Sequence, residues 1–251
     1  MATLDCESLE TSLKSICEIY DAKPTSVIDF LSRINLDLEF QRKMIPKQPE
    51  DYLQELFESE FGSPTRSLEK AVWFHLTRVP AGTTFAEGLL PLRLALNQIW
   101  TMISSIPSNS RTRQNLEKFR ESGIPSYEYG LKTSSGIHHG PHAMLVRESA
   151  FHARVMGNRD YLNLPEIVED ICNGFEREFG ESIHGEVKNA LKPCIVKFES
   201  SRRSGSDLLA PVLLYCSRML RKQELSLNSN TCYDGGGVTI PPAEISRIDF
   251  I

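Results

Sequence analysis

The sequence predicts an α+β fold, and three observations carry that expectation. Apolar residues recur at helical spacing from Ser8 to about Phe61. Strand-like runs begin only after that stretch. The later strands and helices then mix without the regular strand–helix–strand succession of a parallel sheet. At 251 residues the chain is long enough for one large domain or two small ones.

The first helical stretch is "SLETSLKSICEIY", with Leu9, Leu13, Ile16 and Cys17 spaced at three and four. "SVIDFLSRINLDLEFQRKMI" repeats the pattern, and "PEDYLQELFESEF" opens with a proline suited to a first helical turn. "GSPTRS" ends the helical series. "KAVWFHLTRV" is rich in aromatic and β-branched residues and predicts a strand. "TTFAEGLLPLRLALNQIWTMISSI" predicts a short turn of helix and then a longer helix from about Leu92. A helix around residues 113–121 and a long Gly- and Pro-punctuated loop follow; long loops in compact domains are often functional.

"HAMLVRES" is the second expected strand. "NLPEIVEDICNGFEREFG" is a helix, with Pro165 near its start and Gly180 near its end. "PCIVKFES" is the third strand. In "SRRSGSD", Asp207 is the expected N-cap of "LLAPVLLYCSRMLRKQ", which tolerates Pro211 only in its first turn. Short strands are expected in "ELSLNS", "GGVTIPP" and "EISRIDFI", around a tight turn at "YDGGG".

Bulk properties narrow the classes. Apolar residues make up 40% and charged residues 24%, an ordinary globular balance. A net charge of −5 gives no support to a broad nucleic-acid or membrane surface, although a local basic groove can hide within it. No apolar run reaches the ~18 residues of a membrane span. "MATLDCESLE" lacks the basic and apolar regions of a signal peptide. Cys6, Cys17, Cys172, Cys194, Cys216 and Cys232 are scattered with no C-x-x-C pair, which predicts buried, reduced thiols in a cytoplasmic protein.

Four groups of residues bear on chemistry. His75 and Thr77 lie two apart on a predicted strand and so share a face. A histidine there can bond a ribose hydroxyl through one ring nitrogen while a partner holds the other; it can equally be a half-buried strand residue. Glu224, where a long apolar helix hands over, can project into a cleft and stabilise a cationic sugar transition state, or be a solvated helix-end charge. His138, His139 and His142 in "HHGPH" invite a metal reading, yet no acidic or cysteine partner stands at a recognised spacing, so no metal ligand is assigned. Arg147, Arg154, Arg159, Arg202 and Arg203 are suited to phosphate, and Tyr161 beside Arg159 adds a stacking aromatic; solvated loop charge is the alternative.

Taken together, "WFHLTRVPAGTTFAEGLLPL" resembles the opening of the ADP-ribosyltransferase fold, with its His-x-Thr strand followed by a segment ending in Gly-Leu. "KQELSL" followed by "VTIPPAEISRIDFI" is similar to the tail of bacterial nucleic-acid-modifying toxins of that class. The resemblance covers residues 71–251 and is motif-like only at its two ends. It implies a split β-structure with flanking helices over residues 67–251, behind a helical N-terminal extension at 1–66.

The resemblance further implies NAD⁺ as substrate in a cleft across which His75 and Glu224 face each other. His75, Thr77, Gly88 and Tyr161 would contact the cofactor, with Gly88 ending a short helix beneath it. Glu224 would be the catalytic carboxylate, with Glu199 as the competing candidate. Arg147, Arg159, Arg202 and Arg203 would meet the macromolecular acceptor: RNA, DNA or protein. A neutralising antitoxin protein and a toxin–antitoxin or phage-defence setting are implied as well. The N-terminal helices, the "HHGPH" insert and the long segment between Glu224 and Ile240 depart from the pattern. A non-catalytic nucleotide- or protein-binding module, or a metal-dependent hydrolase using His138, His139 and His142, are the other readings.

Overall fold

The computed structural model describes residues 1–134 and 140–251. The fold is α+β, 50% helical and 15% strand. The described residues divide into two compact units. The first comprises Met1–Phe74, Met144–Arg159 and Phe198–Tyr233; the second comprises His75–Ala143, Asp160–Lys197 and Asp234–Ile251. The helical residues 1–66 therefore fall in a unit that two later stretches of chain complete.

In the first unit, β1 (Ala2–Leu4) runs parallel to the start of β2 (Leu68–Val79), with Leu4 opposite Ala71. Four helices lie between them in sequence: α1 (Leu9–Tyr20), α2 (Pro24–Arg33), α3 (Leu36–Arg42) and α4 (Pro49–Phe61). Local chemistry sets their ends. Ser8 and Thr11 close a capping box at the start of α1, and α2 and α4 each begin on a proline, whose missing N–H is no loss there. Tyr20, Phe30, Phe57 and Phe61 then pack as a chain of rings, with centroids 4.5–5.5 Å apart. Against this cluster packs α10 (Leu209–Leu220), with its first nine residues all buried. Ser217 ties it down by donating to Leu31 O at 3.0 Å.

The second unit carries α5 (Leu92–Ser105), α6 (Ser110–Ser122), α7 (Tyr127–Ser134), α8 (Glu166–Phe179) and α9 (His184–Ala190). Its core joins Trp100 and Ile103 of α5 to Leu116 and Phe119 of α6 and to Ile171, Cys172 and Phe175 of α8. The apolar positions of α8 recur at three and four, as an amphipathic helix requires, and Gly180 ends it in the left-handed region.

Beyond β1 and β2 the strands are β3 (His142–Met144), β4 (Lys192–Ser200), β5 (Cys232–Asp234) and β6 (Ile245–Phe250). Their order in the sheet is β5-β3-β2-β4-β6, with β1 also on β2. β3 meets β2 antiparallel at Met144 and Phe74.

Several expected elements differ. "FAEG" forms a turn and not a short helix: Gly88 N–H donates to Phe85 O at 2.8 Å, with Phe85 at φ +51°. The loop expected after α6 contains α7, and α9 and β1 were not expected. "HAMLVRES" is a strand only over β3; a 3₁₀ turn follows at Arg147–Phe151. "ELSLNS" forms no strand. A 3₁₀ turn at Leu227–Ser229, closed by a Ser226–Ser229 capping box, takes its place. Asp207 does not cap α10; it lies inside a 3₁₀ turn at Ser206–Leu208 that leads into it. Five of the six cysteines are buried, and Cys232 is exposed. Among the described residues no helix is long and apolar enough to cross a membrane.

Candidate functional site

On β2 the apolar run Ala71 to Phe74 and Leu76 are buried, and of its half-buried polar residues His75, Thr77 and Arg78 the first two share one face. His75 Nδ1–H donates to the backbone carbonyl of His142 at 2.7 Å. A carbonyl can only accept, so this bond fixes the proton on Nδ1 and leaves Nε2 as an acceptor. Burial lowers the His75 pKa from its usual 6.5; the carbonyl bond opposes the shift without cancelling it. The ring is neutral at neutral pH. That suits it to receive a hydroxyl or amide N–H from a ligand, not to pair with a phosphate.

The shift has a consequence for stability. The unfolded imidazole takes up a proton near its usual value, whereas the folded one resists until lower pH. Stability contributed by neutral His75 is therefore complete above about 6.5 and lost as pH falls through the lowered folded value. Urea unfolding at stepped pH between 7.5 and 5 is expected to show a decline that His75→Gln makes shallower. Identical pH slopes in the two proteins would remove His75 as its source.

From His75 a run of backbone contacts continues through the second unit. Pro141 O accepts from Gly235 N–H at 3.0 Å, and Gly140 O accepts from Gly237 N–H at 2.9 Å. Arg93 Nη2 donates to Gly237 O at 3.4 Å. Leu89 and Ile240 exchange two hydrogen bonds, of 2.9 and 3.0 Å. "FAEGLLPL" and "VTIPPAEI" thus lie against each other. Gly88 makes this approach: its φ is +84°, and a Cβ there would sit 2.0 Å from Ile240 O. Gly88 ends a turn, not the helix expected for it. Tyr161 lies half-buried in a turn of the same unit.

His75, Thr77, Gly88 and Tyr161 therefore fall together in the second unit. Glu224, Arg147, Arg159, Arg202 and Arg203 fall in the first. Glu224 is exposed in the coil after α10, not at the start of a strand, and its backbone carbonyl accepts from Arg218 at 2.9 Å. Glu199 lies on β4 in a surface pair with Lys70, at 3.7 Å with both side chains about half exposed. Such a pair contributes little in water. Arg147 stacks its guanidinium 5.5 Å above the Phe151 ring. Arg203 donates to Thr231 Oγ1 at 3.1 Å and meets Asp207 at 3.4 Å, whereas Arg202 and Arg159 are exposed.

His138 and His139 lie outside the described residues. The His142 ring stands 3.8 Å from Asp234, and no group of three or more His, Cys, Asp or Glu among the described residues could hold a metal ion. The sequence gives no sign of the part played by the His142 carbonyl, and Arg78 was assigned no role from it. The Arg78 guanidinium donates to the backbone carbonyls of Leu162, Asn163, Lys188 and Leu191, at 2.8, 3.2, 2.9 and 2.8 Å. The signal for Arg78 was present: a long cation standing directly after an apolar strand face. Compared with family models, curated proteins and solved structures, the chain has no match.

Proposed function

We propose that the chain is an NAD-dependent ADP-ribosyltransferase that modifies a macromolecule. The observation that carries this reading is the junction of Leu89 with Ile240. It brings together two segments from opposite ends of the resemblance, in the unit that also holds His75 and Thr77. A neutral His75 with Nε2 as acceptor supports a role on a ribose hydroxyl or the nicotinamide amide.

In this reading nicotinamide leaves as its bond to the ribose C1′ breaks. Positive charge develops on the sugar as nicotinamide departs with the bonding electron pair, and the acceptor's nucleophilic atom forms the new bond at C1′ and releases its proton to water. Glu224 stabilises that charge by accepting from the 2′-hydroxyl, and a carboxylate is the group such chemistry needs. The exposed Arg159 and Arg202 are candidates to hold a nucleic-acid acceptor. A toxin with a neutralising partner protein is the biological setting of this reading.

The test is direct. Purified protein incubated with NAD⁺ is expected to release nicotinamide, and Glu224→Gln to slow release by about 10²–10³-fold, as loss of a transition-state contact does. Undiminished release would transfer the role to Glu199. No consumption of NAD⁺ with any cellular RNA, DNA or protein acceptor would leave a binding module in its place. Expression of wild-type chain is expected to be more toxic to cells than expression of Glu224→Gln.

A further inference from the structure

β6 is the last strand in the order β5-β3-β2-β4-β6, so β4 occupies one of its edges. Ile251 N–H donates to Pro193 O at 3.0 Å, and Ser246 Oγ donates to Lys197 O at 3.2 Å. Later residues of β6 thus meet earlier residues of β4, and the two strands are antiparallel. Backbone direction alternates along a strand. Ile251 turns its N–H toward β4, as do Asp249 and Arg247. The N–H and C=O groups of Ser246, Ile248 and Phe250 therefore turn to the outer edge. Among the described residues no strand pairs with that edge.

Exposed edges are ordinarily blunted by brevity, proline, bulges or charge, above all lysine. β5, at the other end of the order, is three residues long. β6 has six residues and no proline, and its only charges are Arg247 and Asp249, one of each sign. Two apart, they share a face, and Arg247 Nε and Nη2 donate to the Asp249 carboxylate at 2.7 and 2.9 Å. Their side chains stay 44% and 21% exposed. The other face carries the half-buried Ile248 and the exposed Phe250.

We propose that the outer edge of β6 pairs with the β6 of a second copy of this chain, antiparallel about a two-fold axis at Ile248. Symmetry sets the register. Ile248 stands opposite the partner's Ile248, and Ser246 opposite the partner's Phe250. Arg247 stands opposite the partner's Asp249, and Asp249 opposite the partner's Arg247. The outward backbone groups of Ser246, Ile248 and Phe250 then bond across the axis, and both charge pairs fall at the closely spaced positions without backbone bonds. Each guanidinium faces the partner's carboxylate as well as its own, and no like charges stand directly opposite. On the other face Phe250 lies diagonal to the partner's Ile248, within reach of a ring. Moving the axis to Ser246 keeps the outward hydrogen bonds but sets Arg247 opposite Ile245 and Asp249 opposite Ala243, so charge selects the register. The pairing is independent of the function proposed above.

The test uses the full chain. Sedimentation equilibrium between about 1 and 100 µM is expected to show the average mass rising from one chain toward two, as a small interface allows. Over the same range amide exchange is expected to slow at Ser246, Ile248 and Phe250 and to stay constant at Arg247 and Asp249, whose N–H groups face β4. Arg247→Asp and Asp249→Arg each set like charges opposite, and each is expected to raise the dissociation constant about 30-fold or more. Mixed in equal amounts, the two variants again present opposite charges to each other. That mixture is expected to dimerise within about threefold of wild type. A mass that stays at one chain up to about 100 µM overturns the proposal. So does a dimer whose outward amides gain no protection, or a mixture no tighter than either variant alone. Arg247→Asp changes an exposed side chain and carries the test alone if Asp249→Arg does not fold; dimerisation as tight as wild type there is equally fatal.

Discussion

Gly88→Ala is expected to destabilise the protein by about 3–5 kcal/mol and to lower its melting temperature by roughly 10 °C. Two costs combine. The backbone at Gly88 has φ +84°, where an L-residue loses on the order of 1 kcal/mol relative to glycine. The larger cost is steric: the new Cβ would lie 2.0 Å from Ile240 O and 3.2 Å from Thr239 Cγ2. Backbone cannot step aside as a side-chain tip can. The Leu89–Ile240 bridge must open, and each of its two hydrogen bonds contributes about 1 kcal/mol. Gly82→Ala is the control. Gly82 has nearly the same φ, +81°, but nothing lies within 4 Å of a Cβ there. It is expected to cost about 1 kcal/mol, the conformational part alone. Thermal unfolding of the two variants separates the costs, and equal shifts would dismiss the steric account. Under the proposed function, Gly88→Ala also loses nicotinamide release, because it parts the two segments on which that reading rests.

Lys132→Met is expected to cost about 2–3 kcal/mol, short of the roughly 3–5 kcal/mol for breaking a fully buried pair because these groups keep some solvent. Lys132 lies on α7 with its side chain 16% exposed, and donates to Asp170 at 2.6 Å and pairs with Glu166 at 2.8 Å. Burial pulls the ammonium pKa down, but hydrogen bonds and charges from the two carboxylates outweigh it, and the net shift is upward. Methionine keeps the length of the chain and removes the cation, which leaves the buried Asp170 carboxylate facing Glu166 uncompensated. No residue of α7 is fully buried, so polar links matter to it more than usual; another is Trp100 Nε1–H donating to Tyr129 at 3.0 Å. Urea unfolding should register the loss, and amide exchange should quicken along α7. Adding Asp170→Leu to Lys132→Met is expected to restore part of the stability, since an apolar pair there no longer buries a lone charge. A double variant as unstable as the sum of its parts would refute the charge explanation.

The elements legible in the sequence are those whose reasons are local. α1, α4, α8 and α10 repeat apolar residues at three and four, and prolines or a glycine punctuate α2, α4 and α8. β2 and β4 are dense in aromatic and β-branched residues. Each pattern reports a face that water rejects, and that requirement acts within a dozen residues. α7 and α9 were illegible because they are short and carry few buried residues: their helicity depends on partners such as Asp170 and Arg78, which lie far off in the chain. β1 is three residues long and is a strand because Leu68 to Ala71 stand beside it. Glu224 was expected at the start of a strand in "ELSLNS", but two serines capping one 3₁₀ turn give that stretch a different local structure.

For the site, the residues alone establish that His75 and Thr77 share a face of β2 and that a glycine precedes Leu89, since strand pleat and chain order require nothing else. They do not establish which nitrogen of His75 carries the proton, why position 88 excludes a side chain, or what Arg78 holds. Those properties belong to the His142 carbonyl, the Ile240 carbonyl and the carbonyls of Leu162, Asn163, Lys188 and Leu191. Every residue type but proline presents the same peptide N–H and C=O, so a composition or a spacing cannot mark which of them will be brought within hydrogen-bonding reach. Packing of distant segments makes that selection, and the side-chain chemistry follows from it.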